Sequence, residues 1–243
     1  MRAALIGQPG LAMRLMVAHA IVGSSLWTVR PEPQATRSDE VRESIETCWG
    51  EAVFDAERRV VLDTLGLAAE EPTITGGNGD DYGVAGLFLR LIALPDEAVM
   101  RVLAVVMGET LAAGSAAVEV VGIAMADWWQ ADEALFSLMR DREVLGRMTA
   151  EVAGETVASA NAGEKAKTLK RIIADHLEGA EGRDKVERWV PRWMQFPPSA
   201  YTERGGVGTV AAHAKVVAAR RLAEDECRAE LQKEEERPLP QAA

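Results

Sequence analysis

Cysteine is scarce in this chain, and the two present, Cys48 and Cys227, have no CxxC or His/Cys spacing around them. That excludes a disulfide-stapled scaffold and the common zinc modules, and it fits a reduced, cytoplasmic setting. Aromatic β-formers are also few, with two Tyr and four Phe, while Ala, Val, Leu, Met, Glu and Arg abound. Such a composition favours helix over sheet. Long apolar runs are missing as well. Met1-Arg2-Ala3-Ala4-Leu5-Ile6 is soon interrupted by Gln8, Pro9 and Gly10, and the next run by Arg14 and His19. A secretory h-region needs about 7–15 uninterrupted apolar residues, so export is not expected. The least charged stretch, 102–126, still carries Glu109, Glu119 and three glycines. A spanning helix wants about 20 apolar residues, so this stretch reads as buried core and no membrane partner is expected.

Catalytic constellations are missing too. His19, His176 and His213 are scattered on expected helices without an HExxH or other ligand spacing. Ser24 and Ser25 have no G-x-S-x-G context, and no pair among the many acids is marked as general acid and base. The chain is therefore not expected to be an enzyme, and neither metal nor cofactor is implied.

What the chain does have is length, helical periodicity and an uneven charge. At 243 residues and 48% hydrophobic it can bury a substantial core, and two subdomains are admissible. The expected fold is all-α, an irregular multi-helix bundle. Residues 1–69 read as a first helical layer. The stripe Leu11, Leu15, Ala18 and Val22 marks a helix over 10–22, ended by Arg30-Pro31-Glu32-Pro33. Thr36 or Ser38 caps a helix whose stripe is Val41, Ile45 and Cys48/Trp49, and a third helix carries Phe54, Val61, Leu62 and Leu65 up to a stop at Gly66.

Residues 70–83 are a Gly/Asp-rich loop, and 84–160 an apolar central helical region. There Pro95 suits a first helical position, and Asp96 and Glu97 suit the helix dipole. The helix that follows, with Val99, Val102, Leu103, Val105, Val106 and Met107, is apolar almost all round, as for a central helix. The stretch 116–125 has strand-like valines, but its surroundings favour helix. A further helical pattern, with Leu135, Leu138, Leu145 and Val152, spans 132–158. Residues 161–221 form a basic, Trp-containing helical region, and 222–243 a charged tail expected to be frayed.

The basic region stands out against the rest. Between 160 and 221 twelve Lys and Arg face seven acids, a local balance of +5 that leaves −16 for the remainder of a chain carrying −11. Such asymmetry points to a polyanion-facing segment in a molecule that otherwise repels polyanions. On a helical wheel Ala166, Leu169, Ile172, Ile173 and Leu177 share one face, with Lys167, Lys170 and Arg171 opposite, and Arg171 is spaced to pair with Asp175. Trp189 and Trp193, flanked by Arg188 and Arg192, have the aromatic-plus-cation chemistry that holds single strands, although a hinge or dimer brace is favoured for them. The candidate DNA contacts are Lys165, Lys167, Lys170, Arg171, Arg188 and Arg192. Gly205, Gly206, Gly208 and Thr209 precede a helix in the manner of a phosphate loop but lack its Lys, so a glycine hinge with a Thr209 cap is the simpler account. Asn78, Asp80 and Asp81 offer oxygen ligands without a calcium-loop pattern and read as a turn. Trp128-Trp129 reads as a packing anchor.

Long stretches of the chain resemble ParB-like partition proteins of the alphaproteobacterial type, in their C-terminal half. They are RAALIGQPGLAMRLMVAHAIVGSSLW, LPDEAVMRVLAVVMGETLAAGS, DWWQADEALF, NAGEKAKTLKRII and WVPRWMQFPPSAYTERGGVGTVAA. The family's nucleotide-binding domain with its arginine-rich motif, and the helix-turn-helix after it, have no counterpart here, so the resemblance implies a C-terminal portion, from a truncated gene, a misassigned start or a C-terminal half that works as a separate polypeptide. It further implies helical structure, nucleoid or plasmid association in segregation complexes, weak DNA contact, and self-association as a homodimer or with a full-length ParB-like partner. A protein-interaction module with no DNA binding of its own is the alternative.

Overall fold

The computed structural model describes residues 9–23, 29–32, 36–75, 83–111, 123–203 and 208–235. Among them are ten α-helices and no strand, so the fold is all-α. The chain divides into two compact units, 1–112 and 113–243. That division falls inside the stretch 84–160, which its apolar composition alone presents as continuous.

The first unit holds α1 (Pro9–Val22), α2 (Asp39–Glu46), α3 (Trp49–Leu65), α4 (Gly83–Ile92) and α5 (Asp96–Glu109). α1 packs on α4 and α5, and α3 packs on α5. Val17, Ile21, Leu62, Leu65, Leu87, Leu91, Val102 and Val106 form the centre of the core. α1 is apolar on nearly every side, so its sequence does not single out an inner face. The buried face is Arg14, Val17, Ala18 and Ile21, while Leu11, Leu15 and Val22 from the expected stripe are only half-buried.

Arg14 explains that rotation. Its guanidinium donates to the carbonyls of Leu91 at 2.9 Å, Leu94 at 2.8 Å and Gly10 at 3.1 Å, and pairs with Asp96 at 2.6 Å. The last carbonyls of a helix have no internal partner, and a cation there also meets the negative end of its dipole. Arg14 thus closes α4 and ties it to the first turn of α5. Arg90 does the same for α3 through the Leu65 carbonyl.

Ends are set by local chemistry. Ser38 caps α2 by accepting from the Val41 amide, and Gly66 closes α3 in the left-handed conformation at φ 63°. Pro95 sits one position before α5, at its N-cap, instead of at its first helical residue. The Glu109 carboxylate accepts from the Ile74 and Thr75 amides at 2.6 and 3.0 Å and from the Thr75 hydroxyl at 2.9 Å. It thereby holds the start of the 70–83 loop to the end of α5. Two expected apolar faces are not covered. α2 buries no residue, leaving Ile45 and Trp49 exposed, and Met100 and Met107 put one side of α5 in solvent. Hydrophobic period shows where a stripe lies but not whether a neighbour reaches it.

The second unit holds a 3₁₀ turn at Met125–Asp127, then α6 (Glu133–Leu138), α7 (Arg142–Ala153), α8 (Glu155–Ala160) and α9 (Ala166–Glu178). Further 3₁₀ turns follow at Ala180–Gly182 and Arg192–Met194, and last comes α10 (Gly208–Glu235). The expected continuous helix over 132–158 is thus three helices. Asp132 and Asp141 each cap a new start, and Gly154, at φ 88°, turns α7 into α8. α9 packs along α7, with Leu145, Met148 and Val152 meeting Leu169, Ile173 and Leu177 in a core that includes Phe136, Trp189 and Tyr201. α10 runs on to Glu235, so residues 222–235 are helical where the charged sequence suggested fraying. Ala, Glu, Leu, Gln and Lys are strong helix formers, and from Ala218 to Gln232 every residue is exposed. No described helix is long and apolar enough to cross a membrane.

Candidate functional site

α9 organises the cationic residues. Its inner face is the expected one: Leu169, Ile172, Ile173 and Leu177 are buried, and Ala166 packs beside them. Lys165 stands at the N-cap in extended backbone, and Gly179 closes the far end at φ 71°. With that register fixed, Lys165, Lys167 and Arg171 are exposed and Lys170 is half-buried. A groove of about 700 Å³ runs between α9 and α6. Its floor is Ala131, Phe136, Ala174 and Leu177. Lys167, Lys170 and Arg171 stand at the first turns of α9, and Glu178 at its end, with Asp132 and Glu133 contributed by the start of α6.

Burial against this groove, reinforced by the nearby positive charge of Arg140, pulls the Lys170 amine below the ordinary lysine range. None of Lys165, Lys167, Lys170 and Arg171 has a side-chain ion pair or hydrogen bond among the described residues. The expected Arg171–Asp175 pair is replaced. After α9 the chain folds back, with the Val186 amide donating to the His176 carbonyl at 2.8 Å, and this brings Arg183 onto Asp175.

The remaining two candidates are placed differently. Arg188, at positive φ, pairs with Asp127. Arg192 pairs with Glu151 of α7, and its guanidinium lies 5.0 Å from the centre of the Tyr201 ring. The Tyr201 hydroxyl donates to the other Glu151 oxygen at 2.5 Å, and Trp193 meets Tyr201 edge-on at 5.1 Å. Burial first, and the bond to Glu151 second, push the Tyr201 phenol far above its usual range. This Glu151–Arg192–Tyr201 cluster has no sequence signal, because 41 and 50 positions separate Glu151 from its partners. Trp189 is buried in the core and Trp193 half-buried against it, so neither ring is a free stacking platform. Trp129 packs on the same core, while Trp128 is partly exposed.

Of the phosphate-loop residues, Gly205 and Gly206 lie outside the described residues. Gly208 opens α10, and the Thr209 hydroxyl donates to the Trp193 carbonyl at 2.8 Å instead of capping the helix. Asn78, Asp80 and Asp81, and likewise Ser24 and Ser25, also fall outside the description. His176 bonds the Ile172 carbonyl and His213 meets Phe196 edge-on, and no group of metal-ligating side chains occurs among the described residues.

No family model, curated protein or solved structure matches this chain.

The residues brought together at α9 are suited to attracting an anion by charge.

Proposed function

We propose that the chain is a DNA-associated component of ParB-like partition complexes, touching nucleic acid weakly and without sequence readout through α9. The observation that carries this reading is the group of four cations, Lys165, Lys167, Lys170 and Arg171, gathered within two turns and making no ion pair among the described residues. Phosphate contacts by such residues give affinity that falls steeply with salt. The net charge of −11 opposes approach, which sets the binding in the range typical of non-specific contacts, about 10⁻⁴–10⁻⁶ M. Arg188 and Arg192, tied to Asp127 and Glu151, are assigned to holding the second unit together.

Fluorescence anisotropy with a labelled duplex at low salt tests this. Lys167→Ala is expected to weaken binding about equally on unrelated sequences and to lower the salt slope by about one. Arg188→Ala is expected to leave the slope unchanged. Absence of binding at low salt, or equal effects of the two substitutions, would overturn the assignment. The exposed side chains of Trp49, Leu89 and Met100 in the first unit support a second reading, a protein-interaction module, which predicts association without nucleic acid.

A further inference from the structure

The charges on α9 run against its own dipole. The start of a helix is its positive end and favours acids, while its last turn favours cations. α9 has the reverse order. Lys165, Lys167, Lys170 and Arg171 stand at its N-cap and first two turns, no acid is in the first turn, and Glu178 is its final residue. None of these five makes an ion pair among the described residues that would offset the placement. Lys167, Lys170, Arg171 and Glu178 all line the groove against α6.

α6 repeats the polarity. Arg140, just past its end, acts by charge on Lys170, so α6 finishes beside the start of α9. Its own start, with Asp132 and Glu133, therefore lies toward Glu178. The groove has a cationic end, an acidic end and, between them, the apolar surface of Phe136, Ala174 and Leu177. Asp132 is engaged in capping α6 through the Leu135 amide at 3.0 Å, whereas Glu133 and Glu178 are exposed. Along the α9 axis, Glu178 is about 10 Å from Arg171 and about 16 Å from Lys167 at 1.5 Å per residue. Neither a simple anion nor an apolar molecule would satisfy both ends.

We propose that the groove binds a short apolar peptide with free termini, its carboxylate among Lys167, Lys170 and Arg171 and its amine at Glu133 and Glu178. An extended chain covers about 3.3–3.6 Å per residue, so about three to five residues span the two ends. The groove volume of about 700 Å³ falls within the range of small-ligand sites, about 300–1,000 Å³. Apolar side chains at the middle of the peptide cover Phe136 and Leu177. Laid this way, the peptide opposes the dipole of α9 and neutralises the charges set against it. The site goes beyond nucleic-acid contact and does not depend on it. A phosphate backbone uses the cationic end alone and is repelled by Glu133 and Glu178, so the two ligands compete only for the cations.

A titration of the full chain with alanyl-leucyl-leucyl-alanine, followed by NMR without DNA, tests the site. Saturable binding at sub-millimolar concentration is expected at low salt. N-acetylation removes the peptide's amine charge and C-amidation its carboxylate, and each is expected to weaken binding at least about tenfold. Single exposed charges on the protein are expected to act by about threefold, and selectively. Arg171→Gln should weaken the free and the acetylated peptide and leave the amidated one unchanged. Glu178→Gln should weaken the free and the amidated peptide and leave the acetylated one unchanged. If circular dichroism shows that either variant has lost helix, Lys167→Gln or Glu133→Gln takes its place and is expected to give the same pattern. Failure to saturate, a blocked peptide that binds as tightly as the free one, or variants that affect all three peptides alike would overturn the proposal. Since no DNA is present, such a failure leaves the nucleic-acid reading to its own binding assay.

Discussion

Arg14 and Lys170 show how a cationic side chain takes opposite roles according to what surrounds it. Arg14 breaks an apolar run in the sequence, yet it is buried, because four oxygen acceptors converge on its guanidinium. Arg14→Ala leaves the Leu91 and Leu94 carbonyls without that donor and removes the link to Asp96. It is expected to lower the stability of the first unit by about 3 kcal/mol, read by hydrogen exchange at α4 and α5. Lys170 is the converse case, a cation beside an apolar floor with another cation, Arg140, nearby. Amine labelling across a pH series should give Lys170 a midpoint below the ordinary lysine value, and Arg140→Ala should move it part of the way back. The folded protein releases this proton at lower pH than the unfolded chain. Its contribution to stability therefore rises as pH climbs through that window and is least favourable below it.

At the scale of elements, helix ends were more legible than helix faces. Ser38 and Gly66 bound α2 and α3 as their local chemistry requires, since an N-cap acceptor and a left-handed glycine act within a few residues. Gly66→Ala should destabilise α3 doubly. An alanine pays a left-handed penalty of about 1–2 kcal/mol, and its Cβ would collide with the Arg90 guanidinium that holds the Leu65 carbonyl. Differential scanning calorimetry on the full chain is expected to show a lowered transition, and Gly146→Ala, where open space awaits a Cβ, serves as the control. Faces depend on partners. The stripe of α9 reads correctly because it is strongly two-sided, whereas α1 is apolar all round and takes its inner face from Arg14. Gly108 makes the same point between helices: a Cβ there would lie 2.6 Å from the Phe54 ring, so α3 approaches α5 closely only because the side chain is absent. Nothing in the spacing of the two residues announces that contact.

Across the whole molecule, charge is distributed so that a local excess of cations at α9 sits in a chain of net −11. Part of the opposing charge lies on the outer half of α10, where every residue from Ala218 to Gln232 is exposed. Shortening the chain after Arg221 removes Glu224, Asp225, Glu226 and Glu230 without uncovering any described core. At low salt the shortened chain is expected to bind duplex DNA several-fold more tightly than the full chain, the difference shrinking as salt rises. Equal affinities in the anisotropy assay would show that this acidic helix has no part in restraining the cationic turns.

The sequence by itself determined that the protein is helical, because composition and the 3.6-residue period act locally. It determined the helix-closing Gly66 and the buried face of α9 for the same reason. It also marked the segment in which cations gather, since charge is a property of composition. Only the tertiary structure decided which of those cations make ion pairs among the described residues. Glu151, far away in sequence, takes Arg192, Asp127 takes Arg188, and the fold-back after α9 gives Asp175 to Arg183 and leaves Arg171 facing the groove. An ion pair between distant residues depends on where packing sets two backbones, and no spacing rule along the chain encodes that distance.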